Sequence, residues 1–232
     1  MAIYDSWSAP LPDGKRAEEI VLRFDSSRDR RLLVLPPLFD EHNKTRRQVV
    51  ETMRKLDAAG DAAGIDSFLP DLPGCNESLA SLDNQAVSSW REAARAAFAH
   101  FRCTHILAIR GGALLAPRDT AAFFYAPAGG KPLLRAMLRA RTIAAREAGR
   151  EEKVETLLAQ GREEGLELAG WQLGATMIRE FEAAEWTIGP QVRIVDQVEL
   201  GGSPLWLRAE PGEDPEQAEA LARIIANGML AS

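Results

Sequence analysis

The fold is decided by one short apolar run, Arg31-Leu32-Leu33-Val34-Leu35-Pro36-Pro37. Four consecutive large aliphatic residues without polar alternation are typical of a strand that is buried on both faces, as the central strands of a parallel sheet are. The two prolines end the run. The chain therefore begins its core with a strand that needs helices on both sides of it.

Strands and helices alternate after this run. An amphipathic helix is predicted over 43–59, where Val49, Met53 and Leu56 share one face at helical spacing. Further short strands are predicted at 65–69, 106–109 and 121–125, with a helix capped by Asp83 and ending at Phe101 between the first two. This alternation predicts an α/β fold with a mostly parallel sheet flanked by helices and joined by right-handed crossovers.

The sequence predicts that the second half of the chain is mostly helical. Helices are predicted at 132–145, 151–159, 173–184 and 215–229, closing strands at 191–198 and 205–207, and an antiparallel edge strand at 18–24. We interpret residues 1–232 as a single domain and 130–186 as a helical excursion or small cap within it.

Composition excludes several classes of protein. Of the 232 residues, 46% are hydrophobic and 27% charged, which is enough apolar material for a globular core. Lys and Arg number 28 against 34 Asp and Glu, and the net charge of -6 argues against a nucleic-acid partner. Cys75 and Cys103 are too few for a disulfide scaffold, and every apolar run is too short to span a membrane. We expect a reduced, cytoplasmic protein with no metal site and no cofactor.

Three loops that follow predicted strands carry the candidate site. They are 36–47, 71–78 and 108–112. In an open parallel sheet, ligands bind outside the carboxyl ends of the strands, where such loops gather. We therefore expect a cleft at this edge.

The third loop has the pattern of a nucleophile elbow, in which a sharp strand-to-helix turn lifts a serine above the sheet. Arg110 stands at the nucleophile's position and is followed by Gly111 and Gly112. A guanidinium stays protonated and cannot attack a carbonyl. All three histidines, His42, His100 and His105, precede Arg110, so none can follow the nucleophile as a triad requires.

Three segments together resemble the exosortase A system-associated hydrolases of type 2, a group within the α/β-hydrolase superfamily. These segments are LPPLFDEHNKTRR at 35–47, LPDLPGCNES at 69–78 and RGGALLA at 110–116. The resemblance implies the α/β-hydrolase fold, a bacterial setting, and a link to exosortase and exopolysaccharide gene clusters. It also implies partners among the proteins of that system.

Arg110 has two interpretations. It binds the phosphate or carboxylate of a small anionic ligand, beside the backbone of Gly111 and Gly112, or it pairs with Asp40, Glu41 or Asp71 and fastens the loops. The first predicted helix begins with a polar, basic stretch that contains Asn43, Lys44, Arg46 and Arg47. Cations at the start of a helix oppose its dipole. An anionic ligand or carboxylates of neighbouring loops would explain why these cations are tolerated there.

Cys75 and His42 form the one pair that could still act as nucleophile and base, and Ser78 is a further displaced nucleophile. Three functions stay open. The first is a non-catalytic or atypical accessory protein that binds an anionic, acyl or glycosyl ligand. The second is an ester or thioester hydrolase that uses Cys75 or Ser78. The third is an interaction module that forms a homodimer through the helices of 130–186.

Overall fold

The computed structural model describes residues 1–60 and 64–231. Seven strands form one sheet: β1 (Ile3–Pro10), β2 (Arg16–Phe24), β3 (Arg31–Leu35), β4 (Asp66–Pro70), β5 (His105–Ile109), β6 (Ala122–Tyr125) and β9 (Val192–Val195). Their spatial order is β1-β2-β4-β3-β5-β6-β9. Strands β4, β3, β5, β6 and β9 are parallel, and β1 and β2 are antiparallel. The predicted α/β class with a mostly parallel sheet is confirmed.

Helices cover both faces of the sheet. They are α1 (Asp40–Ala58), α2 (Val87–His100), α3 (Gly130–Glu147), α4 (Val154–Glu164), α5 (Ala175–Ala183), α6 (Gln197–Leu200) and α7 (Pro215–Leu230). Three 3-10 turns lie at Leu82–Asn84, Arg110–Leu114 and Leu205–Leu207, and a small hairpin pairs β7 (Leu166–Leu168) with β8 (Trp171–Leu173).

Two apolar clusters lie on opposite faces of the sheet. Strand β3 supplies both, because Leu33 and Leu35 belong to the first cluster and Leu32 and Val34 to the second. All four side chains are at most 1% exposed. The first cluster is covered by α2, α3, α4 and α5, and the second by α1 and α7. Burial of each such aliphatic side chain stabilises the fold by about 1.5–3 kcal/mol.

Several predicted elements are wrong at their bounds or in kind. Strand β2 lies where an edge strand was expected, but β1 covers its outer side and forms the edge. Residues 205–207 form a 3-10 turn that Pro204 precedes, and they do not join the sheet. Asp83 lies in a separate 3-10 turn and does not cap α2, which begins at Val87. The strand expected over 191–198 is shorter, since α6 begins at Gln197.

The segment 130–186 contains α3, α4, the β7–β8 hairpin and α5. It packs onto the loop after β3, where the Phe39 ring lies 5.8 Å from the Trp171 ring and 5.4 Å from the Phe181 ring. The excursion therefore contacts one of the three loops of the expected cleft. Every helix in residues 1–60 and 64–231 is too short or too polar to cross a bilayer.

Candidate functional site

The loops after β3, β4, β5 and β6 meet at one edge of the sheet, because these strands run parallel and in register. Leu35 is paired with Ala108, and Ile109 with Tyr125. The first residues after these strands therefore emerge side by side, as the sequence predicts.

The turn after β5 is a sharp bend with strained backbone. Arg110 adopts a φ of 52°, in the left-handed region that residues with a side chain rarely occupy. Phe39 and Ala126, in the loops after β3 and β6, have φ values of 56° and 44°. Each such residue costs roughly 1–3 kcal/mol, and clustered strain of this kind marks functional or tightly constrained sites.

Gly112 explains why the bend needs a glycine. A Cβ at this position would lie 2.3 Å from the Leu35 carbonyl oxygen and 2.7 Å from that of Pro36. Both contacts are with rigid backbone at the end of β3. Only glycine lets the turn pass this close to the neighbouring strand.

The side chain of Arg110 makes hydrogen bonds through all three of its guanidinium nitrogens at the bend. Its Nε and Nη2 donate to the two carboxylate oxygens of Glu41 at 3.1 and 3.0 Å. Its Nη1 donates to the Ala126 carbonyl at 3.0 Å, and its guanidinium carbon lies 4.6 Å above the Trp206 ring. We call this arrangement of Arg110 with Glu41, Ala126 and Trp206 the arginine clamp. It joins the loops after β5 and β6 to the first turn of α1 and to the 3-10 turn at Leu205–Leu207.

Glu41 is thus the carboxylate that pairs with Arg110 among the three that the sequence offers. Asp40 pairs instead with Lys44 at 2.8 Å, one helical turn away. Asp71 accepts a hydrogen bond from Asn76 within its own loop. Both members of the Arg110–Glu41 pair have side chains only 19% exposed, so solvent screens the pair weakly.

The basic residues of α1 do not oppose its dipole. The helix begins at Asp40, three residues earlier than predicted, so Asp40 and Glu41 occupy its first turn and complement the dipole. Lys44 pairs with Asp40, and Arg47 pairs with Glu213. Asn43 is exposed. Lys44 and Arg47 thus have the neighbouring carboxylates that the sequence offers as one explanation of these cations.

His42 lies on α1, and its side chain is buried. Its Nε2 lies 2.9 Å from Nη1 of Arg46. Burial, together with the nearby Arg46 charge, lowers the pKa of His42 to about 4. The imidazole is therefore neutral at pH 7.

The loop after β4 holds the other two displaced candidates. Burial, with Asp71 and Glu19 nearby, raises the pKa of the Cys75 thiol far above its usual range. Ser78 Oγ donates to Glu19 Oε1 at 2.7 Å and accepts from the backbone N–H of Gly74 at 2.8 Å. The thiol stays protonated, and the hydroxyl fastens its own loop to β2.

Sequence reasoning missed Glu19, Ala126 and Trp206. Glu19 is 1% exposed in β2, and burial raises its pKa, assisted by the Asp71 charge. Burial likewise raises the pKa of Asp71. Glu19, Ala126 and Trp206 lie outside the three loops. Only the strand order and the path of 205–207 bring them to the site. In the part of the chain that the structure describes, no group of three or more His, Cys, Asp or Glu side chains could hold a metal ion.

Solved structures share this architecture over nearly the whole chain. An esterase from Thermogutta terrifontis has a TM-score of 0.52 and 12% identity, with 98% of each chain covered. A proline iminopeptidase-related protein from Thermus thermophilus has a TM-score of 0.51 and 15% identity, covering 99% of this chain and 98% of its own. This chain has the α/β-hydrolase fold.

A third structure with this fold is the bottromycin epimerase BotH in complex with bottromycin A2, with a TM-score of 0.52 and 13% identity. The match covers 97% of this chain and 99% of the epimerase. No protein-family model and no curated protein sequence matches the chain. At these identities the likeness establishes the α/β-hydrolase fold, and the chemistry has to be argued from the site.

Proposed function

We propose that this chain is an accessory protein that keeps the α/β-hydrolase fold but does not hydrolyse esters at its elbow. In this proposal it binds a small anionic, acyl or glycosyl ligand in the cleft at the carboxyl ends of the strands. The observation that carries the proposal is Arg110 at the bend, held by both carboxylate oxygens of Glu41. A protonated guanidinium has no lone pair with which to start acyl transfer.

The displaced nucleophiles give little support to the hydrolase alternative. A nucleophilic cysteine needs a lowered pKa, and that of Cys75 is raised by burial. Ser78 donates a hydrogen bond to Glu19 and lies in a hydrogen-bonded turn, and the neutral His42 contacts Arg46. These contacts hold the Ser78 and His42 side chains in the structure around them.

The clamp leaves capacity for an anion. Its three hydrogen bonds use three of the five N–H groups of Arg110, so two remain for a phosphate or carboxylate oxygen. The side chain is 19% exposed, which leaves a face open to solvent. The bottromycin epimerase is a precedent for a protein of this fold that is named for a reaction other than hydrolysis.

The biological setting in this proposal comes from the sequence resemblance. The segments 35–47, 69–78 and 110–116 support a place in a bacterial exosortase and exopolysaccharide system. We place the protein in the cytoplasm, as one domain with the excursion 130–186 beside the cleft. Proteins of that system are its partners in this proposal.

Turnover assays and thermal unfolding with added metabolites test the proposal together. We expect no turnover of short-chain or long-chain esters, thioesters or lactones. We expect a phosphorylated or carboxylated metabolite to raise the melting temperature, because a ligand at about 100 times its Kd stabilises the folded state by about 2.7 kcal/mol.

The Arg110→Met variant should lose this ligand-induced rise, whatever its own melting temperature. Arg139→Met is the matched control, since Arg139 is exposed on α3. Turnover that disappears in Cys75→Ala or Ser78→Ala but survives in Arg110→Ala would refute the proposal. A ligand-induced rise that persists in Arg110→Met would refute the anion site.

A further inference from the structure

A cavity lies beside the crossover that joins β5 to β6. This connection is short, since the Arg110–Leu114 3-10 turn is followed by a coil that reaches β6 at Ala122. Residues of this coil and of α2 line a cavity of about 380 Å³. The volume falls within the range of small-molecule sites.

Three arginines line this cavity. Arg91 and Arg95 are one turn apart on α2, and Arg118 comes from the coil. None of the three has an ion-pair partner within residues 1–60 and 64–231. Like charges four residues apart on a helix repel each other and destabilise it. An oxyanion bound between them would remove this repulsion.

The contrast with other arginines of the chain is direct. Arg141 donates through two nitrogens to Glu152, and Arg162 does the same to Glu182. Arg91 instead donates its Nε to the Leu114 carbonyl at 2.7 Å. That bond fixes the guanidinium at the cavity wall and leaves both of its Nη groups for a ligand.

The remaining walls suit a ring that carries hydroxyl groups. Trp186 is half-buried and its ring meets Phe124 edge to face at 6.4 Å, so an aromatic surface is held at the cavity. Asp119 and Glu185 also line the cavity, and both are exposed. Their carboxylates can accept hydrogen bonds from hydroxyls but repel a ligand that is anionic throughout.

We propose that this cavity binds a phosphate monoester of a sugar-like polyol. Its phosphate lies between Arg91, Arg95 and Arg118, its ring packs against Trp186, and its hydroxyls donate to the two carboxylates. The site is separate from the arginine clamp. Residues 113–115 belong to the first apolar cluster, whereas the Arg110 guanidinium lies on Trp206 in the second. The proposal therefore stands independently of the function proposed for the cleft.

Isothermal titration calorimetry tests this site with three probes: a hexose 1-phosphate, inorganic phosphate and the free hexose. We expect the hexose 1-phosphate to bind most tightly. The double variant Arg95→Gln, Arg118→Gln should weaken its binding by about tenfold or more, since the phosphate loses two of its three cationic partners. Both side chains are exposed, so the variant should keep the circular dichroism spectrum of the wild type.

Two further variants separate the parts of the site. Trp186→Ala should weaken the binding of the hexose 1-phosphate more than the binding of inorganic phosphate, because only the hexose 1-phosphate has a ring to pack against the indole. Arg139→Gln, an exposed arginine on α3 outside the cavity, should bind as the wild type does. Failure of the wild type to bind the hexose 1-phosphate would overturn the proposal, as would equal affinity in the arginine double variant. Binding that is lost in Arg110→Met but kept in the double variant would assign the ligand to the cleft instead.

Discussion

Removing the carboxylate of Glu41 should destabilise the protein measurably. In Glu41→Gln, Arg110 loses its charged partner while it keeps the Ala126 carbonyl and the Trp206 ring. Breaking a fully buried ion pair on one side costs about 3–5 kcal/mol, and a fully exposed pair contributes at most about 1 kcal/mol. Since both side chains are 19% exposed, we expect an intermediate loss of about 2 kcal/mol.

The assay is urea unfolding followed by circular dichroism, on Glu41→Gln, Arg110→Met and the double variant. The free energy of unfolding of the double variant should fall by about 1–2 kcal/mol less than the sum of the two single losses. The reason is that the second substitution removes a side chain whose ion-pair partner is already missing. By melting temperature, Glu41→Gln should fall by about 4–8 °C in a protein of this size.

Asp40→Asn is the control, since it removes a neighbouring carboxylate that pairs only with Lys44 along the helix. It should cost at most about 1 kcal/mol, because it removes one exposed ion pair along the helix and one carboxylate at the positive end of the helix dipole. Losses that add up without coupling, or a Glu41→Gln protein as stable as the control, would refute the clamp as a unit that joins the loops.

Three further outcomes follow from burial and backbone contacts. Nuclear magnetic resonance titration should give His42 a pKa near 4, so its contribution to the free energy of unfolding is full above about pH 6.5 and declines as the pH falls to about 4; a midpoint above 6 would contradict this. Gly112→Ala should cost more than about 3 kcal/mol in urea unfolding or prevent folding, because its Cβ meets rigid backbone. Gly129→Ala, which meets only the flexible Glu185 side chain, should cost far less, and equal losses would contradict the close approach. Native Cys75 should resist iodoacetamide at pH 8 and react after unfolding, whereas rapid native labelling would indicate a thiolate.

The central strands could be predicted because burial on both faces leaves a clear sequence signal. The run 32–35 has no polar residue, and the structure buries it in both clusters. Strand β1 gives no such signal, since only Trp7 and Ala9 of its eight residues are buried. The hairpin β7–β8 has only three residues in each strand, too few for a period to appear in the sequence.

The site was predictable only in its local part. The elbow and its arginine are read from consecutive residues, and Glu41 is one of three nearby carboxylates. Trp206 and Ala126 reach Arg110 through the order of β5, β6 and the later chain, which no local pattern fixes. The same holds for the cavity beside α2, whose arginines and Trp186 lie on separate elements.

The proposal that the elbow lacks a nucleophile is tested most directly by intact-mass spectrometry after treatment with a fluorophosphonate. A serine hydrolase forms a covalent adduct through its activated hydroxyl. We expect the mass of this protein to stay unchanged. A stoichiometric adduct on the folded protein, mapped to any serine at the carboxyl edge of the sheet, would contradict the account.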